Sequence, residues 1–328
     1  MVEKEDPDQF IRRAEEHMQA GRYEEAVCIY RKLVDACPSE NSFLLGLAWA
    51  CHDGGRLSDA IECFEELLSR EVKQAVFTGF AYDELVRIFK SQGLYERLIQ
   101  VCEKAVEVQP DDAGYLGELA DAYLKAGFIE KAVAVYERMI AVDPLEADFY
   151  CRLGSALIRA GDSAGGEEAY IKAAEMDEST ADSVFNKLSH VYSGTGNDEK
   201  AEGAQRKALD LRPDKPIYYM DLADILVKRM KFAEARDCCR QAVCLKPEDA
   251  PLFHNRLGNS LFRLGFHEEA VGVFLQAIAL EPHNPFYYLS LAECFKRSGR
   301  HDEAAACLMR AQDCRDDVKC GPFSSSPR

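Results

Sequence analysis

The feature that constrains this chain most is a glycine that returns about every 34 residues. The stretches GELADAYLKAGFIEKAVAVYERMIAVDP (117–144) and NRLGNSLFRLGFHEEAVGVFLQAIALEP (255–282) are loose copies of each other, aligned on that glycine. A proline follows 17 residues after the glycine position in six copies, and an alanine follows five residues after it in seven. The glycines are Gly21, Gly55, Gly93, Gly127, Gly161, Gly196, Gly265 and Gly299, and Met230 stands where one more would fall. A period of this length predicts an array of stacked helical hairpins.

Each copy carries apolar residues at helical spacing on both sides of its glycine. In the fourth copy Leu116, Leu119 and Tyr123 form one stripe, and Ala132 and Tyr136 belong to another. The glycine ends the first helix because it adopts the left-handed conformation without steric cost. The alanine allows the two helices to approach closely, and the proline ends the second helix. The pattern therefore predicts helix–turn–helix units and no strand of useful length.

With these features the chain resembles the tetratricopeptide repeat family over nearly its whole length. The resemblance implies an all-α fold, a right-handed superhelical α-solenoid with first helices on the concave side and second helices on the convex side. It also implies that extended peptides or a helix of a partner bind in the concave groove. We predict a lead-in at 1–6, nine repeats over 7–318 and a disordered tail at 319–328. The repeats are 7–40, 41–74, 79–112, 113–146, 147–180, 182–215, 216–249, 251–284 and 285–318.

Two copies depart from the pattern in ways that predict local irregularity. The fifth repeat has Gly165 and Gly166 where the close-packed alanine is expected, so its second helix is predicted to start late or fray. Four extra residues, within REVKQAVFTG, separate the second and third repeats, and we expect the superhelical twist to change there.

The charge distribution excludes some classes of partner. The net charge is −17, and residues 1–178 carry all of it, with 19 Lys+Arg against 36 Asp+Glu. A nucleic-acid surface needs a basic footprint, so we expect no nucleic-acid partner. The acidic half either engages a basic partner or only provides solubility. No apolar run is long enough for a transmembrane helix, no signal peptide is evident, and 13 scattered cysteines favour a reducing cytoplasm.

No catalytic or metal-binding constellation emerges from the sequence. In GFHEEA (265–270) the second histidine of a zinc-protease helix is missing, since Val271 stands four residues after His267. SGTGNDEK (193–200) lacks the Gly-Lys-Ser/Thr ending of a phosphate loop. No Cys/His spacing suits zinc. We therefore expect a protein that is not an enzyme and uses no cofactor or metal.

The groove of the resembled family supplies the candidate site residues. Its inward positions are 2, 5, 9, 12 and 13 of each repeat, and position 13 forms a ladder of cations that could hold an acidic peptide. Asparagines and a histidine at positions 5 and 9 can pair with a ligand backbone. Glu15, Asp83 and Asp121 share this surface in the early repeats. The candidate partner-binding residues are Trp49, Arg87, Lys125, Arg159, Asn186, His190, Lys228, Asn255, Asn259, Arg263 and Arg297.

Structural explanations compete with these assignments. A cation at position 13 is common in the family and sits at a helix C-terminus, where the dipole favours it by ~0.3–1 kcal/mol. Trp49 is either a binding anchor or a wall residue. The two-carboxylate clamp of the chaperone-binding members is incomplete, with Asn255 and Ser290 replacing its Lys and Asn around Asn259, so a chaperone-tail adaptor is disfavoured.

The chain end and the cysteines give the remaining hypotheses. We expect Ala304, Cys307, Leu308 and Ala311 to pack on the first helix of the last repeat, and any apolar surface left over would support self-association. Cys314 and Cys320 are expected to be exposed. Other cysteines fall at packing positions: Cys51, Cys63, Cys102, Cys238, Cys239, Cys294 and Cys307. The leading hypothesis is a non-catalytic scaffold or adaptor that binds a protein segment; the alternatives are an accessory subunit using its convex face or ends, and a thiol-dependent regulator.

Overall fold

The computed structural model describes residues 7–74 and 76–319 in their backbone, and side chains through Arg315. All regular structure in these ranges is helical, as the repeat predicted, with 18 α-helices and one short 3₁₀ helix, Pro247–Asp249. The helices are α1 Pro7–Gln19, α2 Tyr23–Ala36, α3 Asn41–Asp53, α4 Leu57–Gln74, α5 Phe80–Gln92, α6 Tyr95–Val108, α7 Ala113–Ala126, α8 Ile129–Val142, α9 Ala147–Ala160, α10 Ser163–Met176, α11 Ala181–Gly194, α12 Asp198–Leu211, α13 Pro216–Lys228, α14 Phe232–Leu245, α15 Ala250–Arg263, α16 His267–Leu280, α17 Pro285–Arg297 and α18 His301–Lys319. The fold is an all-α helical repeat solenoid.

The periodic glycines and alanines adopt the conformation and the burial that the sequence predicts. All eight periodic glycines have positive φ, between 68° and 97°. Gly127 follows α7, and the amide of Phe128 donates to the carbonyl of Tyr123 at 2.8 Å, which closes the helix end. The periodic alanines are buried where paired helices cross: Ala26, Ala60, Ala132, Ala201, Ala235, Ala270 and Ala304. Met230 has φ 60°, so it adopts the same turn conformation without being a glycine.

The chain divides into two compact units, residues 1–149 and 150–328. The core of the first unit is rich in aromatic and branched aliphatic side chains. Phe64 of α4 is fully buried, and its ring meets Trp49 of α3 edge-on at 5.7 Å. Near the start of α5, the rings of Phe77, Tyr82 and Tyr115 pack together, with Tyr82 and Tyr115 4.8 Å apart.

The four extra residues after the second repeat lengthen α4. This helix has 18 residues, whereas most second helices have 14. Its last turn contains the buried Glu71, which accepts a hydrogen bond from the Thr78 hydroxyl, and the amide of Val76 donates to the Glu71 carbonyl. The insertion is therefore absorbed as an added turn at the end of α4.

The second unit contains the Gly165–Gly166 irregularity, and the prediction of a late start for α10 is wrong. This helix begins at Ser163, because Asp162 Oδ1 accepts a hydrogen bond from the Gly165 amide at 2.9 Å. A β-carbon at Gly166 would lie 2.5 Å from Ile158 Cγ1 and 2.8 Å from the carbonyl oxygen of Gly154. Glycine replaces alanine at this position because α9 and α10 cross too closely for a methyl group.

The end of the array also differs from expectation. α18 continues to Lys319, so Arg315–Lys319 are helical, including the first residue of the expected tail. Ala304, Ala311 and Cys314 are buried, whereas Leu308 is 52% and Met309 70% exposed. The predictions that Leu308 packs inward and that Cys314 is exposed are wrong. The rest of the expected tail, with Cys320, lies outside the described residues.

Candidate partner-binding surface

Three first helices of the second unit carry the same type of stripe along one face. In each, the residues at i, i+4, i+7 and i+11 align because the helix advances 3.6 residues per turn. The stripes are Ile217, Asp221, Asp224 and Lys228 on α13; Leu252, Arg256, Asn259 and Arg263 on α15; and Phe286, Ser290, Glu293 and Arg297 on α17. The two ends of each stripe are exposed and its middle is buried or half-buried.

A cavity of about 360 Å³ lies between the α11, α13 and α15 faces. Members of the α13 and α15 stripes line it together with residues of α11, which shows that the stripes face a common concavity. The lining residues are His190, Ser193, Asp221, Asp224, Ile225, Lys228, Arg256, Ser260, Arg263 and Leu264.

Asp221 is the buried anchor of this concavity. Its carboxylate is 7% exposed and accepts hydrogen bonds from the Asn186 amide nitrogen at 2.9 Å and from an Arg256 terminal nitrogen at 2.6 Å. Burial alone would raise the pKa of Asp221, but the bonds from His190, Arg256 and Asn186 outweigh it, so the pKa lies below its usual value. Asp221 therefore stays ionised and links three successive first helices.

Arg256 and Gln205 extend this network. Arg256 also donates to Asp224 Oδ2, through Nε at 2.9 Å and a terminal nitrogen at 2.6 Å. The fully buried Gln205 of α12 accepts from Asn186 at 3.0 Å and donates to the Tyr218 carbonyl at 3.0 Å. Asp224 Oδ1 is buried without a hydrogen-bond partner in the described part of the chain. The base of the concavity, its floor, is thus a connected network of charged and polar side chains, in which Asp224 Oδ1 lacks a hydrogen-bond partner within the described residues.

His190 stands at the edge of the same network. Its side chain is 60% exposed, and Nε2 lies 3.5 Å from Asp221 Oδ2. The hydrogen bond to Asp221, opposed by partial burial and by Arg256, raises the pKa of His190 above its usual value. The protonated ring is therefore favoured by the carboxylate beneath it.

Comparison with known proteins identifies the repeat from which this chain is built. A family model described as "Tetratricopeptide repeat" matches residues 11–75, 118–183 and 255–318, and a second model with the same description matches 182–215. The chain belongs to the tetratricopeptide repeat family.

Individual relatives match only short stretches of this tetratricopeptide repeat chain. A "Small glutamine-rich tetratricopeptide repeat-containing protein 2" of Mycosarcoma maydis is 32% identical over 89 residues, 27% of this chain and 25% of the relative. A "TPR repeat-containing thioredoxin TTL4" of Arabidopsis thaliana is 34% identical over 67 residues, 20% of this chain and 9% of the relative. The chain thus spans a quarter or less of the curated relatives it matches.

Two solved structures resemble this chain at low sequence identity. A tetratricopeptide repeat protein from Parabacteroides merdae ATCC 43184 aligns with a TM-score of 0.49 at 18% identity, covering 78% of this chain and 98% of that one. BtubC (BKLC) from P. vanneervenii aligns at 0.40 and 18% identity, covering 62% and 93%.

Among the cations predicted to form a ladder, the contacts differ. Lys228 donates to the Ser193 hydroxyl at 2.6 Å and lies 3.6 Å from Asp198, whereas Arg297 donates to Glu293 of its own helix at 3.2 Å. Arg263 Nε donates to the Asn259 carbonyl at 3.3 Å, and in the described residues no carboxylate lies within ion-pair distance of its guanidinium. Lys125 and Arg159 are exposed, and neither lines the cavity.

The predicted asparagines have different surroundings. Asn186 uses its amide nitrogen within the ionic network, so it ties repeats together. Asn255 and Asn259 are half-buried on α15, and Asn255 Oδ1 is buried without a hydrogen-bond partner in the described part of the chain. Neither Asn255 nor Asn259 is among the residues that line the cavity, so their assignment to the inward face rests on repeat position.

Two predicted residues of the first unit, Trp49 and Arg87, contact neighbours within that unit. Trp49 is half-buried between His52 and Phe64, which is the setting of a wall residue. Arg87 is exposed and bonds to Glu84 and His52.

Sequence reasoning missed Asp221 and Arg256, which hold the floor together. Both occupy position 6 of their repeats, which was not among the positions read as inward. The available signal was a carboxylate at 221 and a guanidinium at 256, opposite charges at equivalent places in adjacent repeats. Such a pair can meet where neighbouring first helices pack side by side.

The cysteines predicted to pack are buried or half-buried. Burial raises the pKa of Cys102 and Cys294 to about 12 and that of Cys63, Cys238 and Cys239 to about 11, so these thiols stay protonated near neutral pH. Cys28, Cys37 and Cys244 are exposed, and these three were not singled out from the sequence.

Two further features of the described residues concern metal ions and membranes. No group of three or more His, Cys, Asp or Glu side chains in these ranges is placed to hold a metal ion. No helix in the described ranges combines the length and apolarity needed to cross a bilayer.

Proposed function

We propose that this chain is a non-catalytic scaffold or adaptor that binds a segment of a partner protein. The binding surface would be the inward face of repeats 6–9, from Asn186 to Arg297. Proteins of the tetratricopeptide repeat family generally act in protein interaction, and the proposal assigns that role to one surface of this chain. The described cysteines are free thiols, and we place this activity in a reducing compartment such as the cytoplasm.

The observation that carries the proposal is the polar concavity of about 360 Å³ between α11, α13 and α15. The exposed Arg263 guanidinium lines it, and in the described residues no carboxylate lies within ion-pair distance of that group. A polypeptide supplies carboxylates and backbone carbonyls that can accept hydrogen bonds from such a cation.

The test is affinity capture from native lysate with quantitative mass spectrometry. The wild-type chain is compared with Asn255→Ala/Asn259→Ala/Arg263→Ala, and the control is Arg236→Ala/Arg240→Ala, which removes two exposed cations from α14. Equal helicity by circular dichroism is required of all three. We expect partners that the first variant loses and the control keeps. Partners retained by both variants would place binding elsewhere.

A second candidate function uses the end of the array. Leu308 and Met309 on α18 are 52% and 70% exposed, so apolar surface remains there. This favours an accessory subunit, or a self-associating chain, that docks through α18. Leu308→Gln/Met309→Gln would then abolish a complex detected by light scattering, whereas a concentration-independent monomer mass of the wild-type chain would exclude self-association.

A further inference from the structure

The outer side of the last helix, α18, lacks the cover that the same side of the other second helices has. This inference rests on the second candidate function, docking through α18, and concerns what docks there. The residue nine places after the periodic glycine, or after Met230, lies on this side. It is at most 8% exposed in the eight second helices before α18, but in α18 it is Leu308, which is 52% exposed. The eight residues are Tyr30, Phe64, Cys102, Tyr136, Tyr170, Gln205, Cys239 and Phe274.

Contacts in other repeats show what covers this residue. A β-carbon at Gly46 of α3 would overlap the ring of Tyr30 of α2, so these two helices meet there. Gln205 Nε2 on α12 donates to the Tyr218 carbonyl of α13 at 3.0 Å. In both cases the cover is the first helix of the next repeat. No helix follows α18 in the described part of the chain, so Leu308 remains uncovered.

The uncovered side of α18 is apolar at its middle. Ala305 and Leu308 are exposed, and Met309 beside them is 70% exposed. Leu308 and Met309 stand three and four residues after Ala305, so helix geometry makes the three side chains neighbours in one patch. The equivalents of Ala305 and Leu308 on α16 are Val271 and Phe274, and both are buried. The patch therefore includes surface that the repeat buries elsewhere.

The first helices that provide this cover share three buried side chains. An aromatic residue, a leucine and a small or aliphatic residue stand at i, i+4 and i+7. They are Phe43, Leu47 and Ala50 on α3; Tyr218, Leu222 and Ile225 on α13; and Tyr287, Leu291 and Cys294 on α17. In α1, which no described helix precedes, these places hold the exposed Gln9, Arg13 and Glu16. The three places therefore face the preceding second helix.

A second copy of this chain does not offer the matching helix. Its α1 would bring Gln9, Arg13 and Glu16 against an apolar patch, which buries polar groups without partners. Its α18 has no aromatic residue. The other described first helices bury or half-bury the matching side within their own array. The complementary helix must then come from another protein.

We propose that α18 docks an α-helix of another protein in the place that a first helix takes elsewhere in the array. The docked helix would carry an aromatic residue, a leucine and a small or aliphatic residue at i, i+4 and i+7, and these would pack on Ala305, Leu308 and Met309. It would run antiparallel to α18, as α17 runs to α16, since those two helices pack together across the short connection 281–284.

The probe for this proposal is a phage-displayed library of helices of about 16 residues, long enough to form on an Ala/Glu/Lys scaffold. Only the places i, i+4 and i+7 are randomised. The library is selected on the full wild-type chain, and clones that also bind Leu308→Gln are removed. We expect an aromatic residue, a leucine and a small or aliphatic residue in that order. Polar or charged residues at these places, or no enrichment over bare support, would overturn the proposal.

The best clone is then made as a labelled synthetic peptide for fluorescence anisotropy. We expect Leu308→Gln and Ala305→Glu each to weaken binding about tenfold, because each places a polar group in the apolar contact. The matched control is Leu275→Gln, which replaces a leucine that is 49% exposed on α16. It should change the affinity less than about twofold. Equal effects of Leu308→Gln and Leu275→Gln, at unchanged helicity, would contradict the assignment of the patch.

The direction of the docked helix has its own test. A benzoylphenylalanine at the amino end of the peptide should cross-link to the part of α18 after Met309, as an antiparallel helix requires. Cross-links confined to the part before Ala305 would show a parallel helix and contradict the first-helix geometry.

Other occupants of the patch would be revealed by two further measurements. Sedimentation equilibrium of the wild-type chain without peptide should give a monomer, and a dimer that Leu308→Gln dissociates would assign the patch to a second copy. Removal of residues 320–328 should leave the peptide affinity unchanged. Tighter binding after this removal would assign the patch to that segment. Either of these results would overturn the proposal.

The results also separate this proposal from the function on which it rests. If complexes of the chain depend on Leu308 and Met309 but no selected helix carries the expected residues, the helix assignment fails while docking through α18 stands. If no complex and no selected clone depends on these two residues, both fail.

Discussion

The two units of the chain use the same helical hairpin but join its copies differently. Residues 1–149 hold 16 Lys+Arg against 30 Asp+Glu, whereas residues 150–328 hold 24 against 27. The first unit is therefore strongly acidic. The second unit is nearly neutral, and its inward cations Lys228, Arg256 and Arg297 pair with carboxylates.

The difference extends to the interior. In the second unit buried carboxylates link the repeats: Asp182 accepts from Lys215 and Tyr218, Glu202 from Arg206, Arg229 and Lys231, and Asp221 from Arg256. In the first unit apolar and aromatic contacts dominate, such as Phe64 against Trp49. Since nearest-neighbour contacts provide most of the stability of a repeat protein, the units should respond differently to charge and pH.

The largest expected effect is that of Phe64→Ala in the first unit. Removing a fully buried aromatic ring should cost about 3–5 kcal/mol of unfolding free energy. Trp49, the only tryptophan, is adjacent, so its fluorescence in urea reports on this unit. The loss should be the same in 50 mM and 500 mM NaCl. A strong salt dependence would mean that charge also holds the first unit together.

Arg256→Ala should have the next largest effect and should act in the second unit. It leaves the buried Asp221 without its main cation, at a cost of about 2–4 kcal/mol. Hydrogen exchange of α13 and α15 should accelerate while the Trp49 transition stays in place. The matched first-unit change is Glu65→Gln, which breaks a partly exposed pair with Arg97 and should cost less than about 1 kcal/mol. Equal costs would remove the contrast between the units.

The pH dependence should be concentrated in the second unit. The pKa values of Asp182, Glu202 and Asp221 are lowered because their hydrogen bonds to cations outweigh burial. A lowered folded-state pKa gives stability that is complete above the unfolded value, about 4, and is lost as pH falls through the folded value. The raised pKa of His190 acts oppositely, giving stability below about 6.5 that is lost as pH rises through the folded value.

We therefore expect exchange protection of α11–α15 to fall below about pH 4.5 and, by a smaller amount, above neutrality. Asp221→Asn should flatten both limbs. The first unit, followed by Trp49 fluorescence, should change less between pH 4.5 and 8. An acid limb unchanged in Asp221→Asn would show that other carboxylates control it.

The smallest predicted effect is a gain from Met230→Gly. A non-glycine residue at φ 60° destabilises the folded state by about 1–2 kcal/mol. Glycine removes that strain, but its greater freedom in the unfolded chain offsets about 0.5–1 kcal/mol of the gain. The variant should be more stable by about 0.5–1 kcal/mol in urea denaturation. The reverse change at an equivalent turn, Gly265→Ala, should destabilise the chain. If both changes destabilise, the side chain of Met230 makes contacts that outweigh its strained backbone.

Most of the fold could be predicted from the sequence because each periodic residue has one structural role within its own repeat. Gly127 ends a helix, Ala132 sits at a crossing and Pro216 opens a helix, and none of these roles depends on distant parts of the chain. Two features that the sequence did not predict depend on tertiary contacts. Gly166 is explained only by its approach to Gly154, and the burial of Cys314 by packing beside the carbonyl of Pro282.

The candidate surface was only partly predictable. Lys228 and Arg263 follow from repeat position, and both line the cavity. That Asn186 is engaged by Asp221 depends on how neighbouring helices rotate about their axes, which one repeat does not reveal. The exposure of Ile217, Leu252 and Phe286 likewise depends on the fold, since apolar residues in an amphipathic helix are expected to be buried.

The central claim is that the inward face of α13, α15 and α17 binds a protein segment. Its most direct test is site-specific photo-cross-linking in native lysate, with benzoylphenylalanine replacing Leu252 on that face or Arg240 on the exposed side of α14. We expect a discrete cross-linked protein at position 252 and none at position 240. Cross-linking at 240 alone, or the same adducts at both positions, would contradict it.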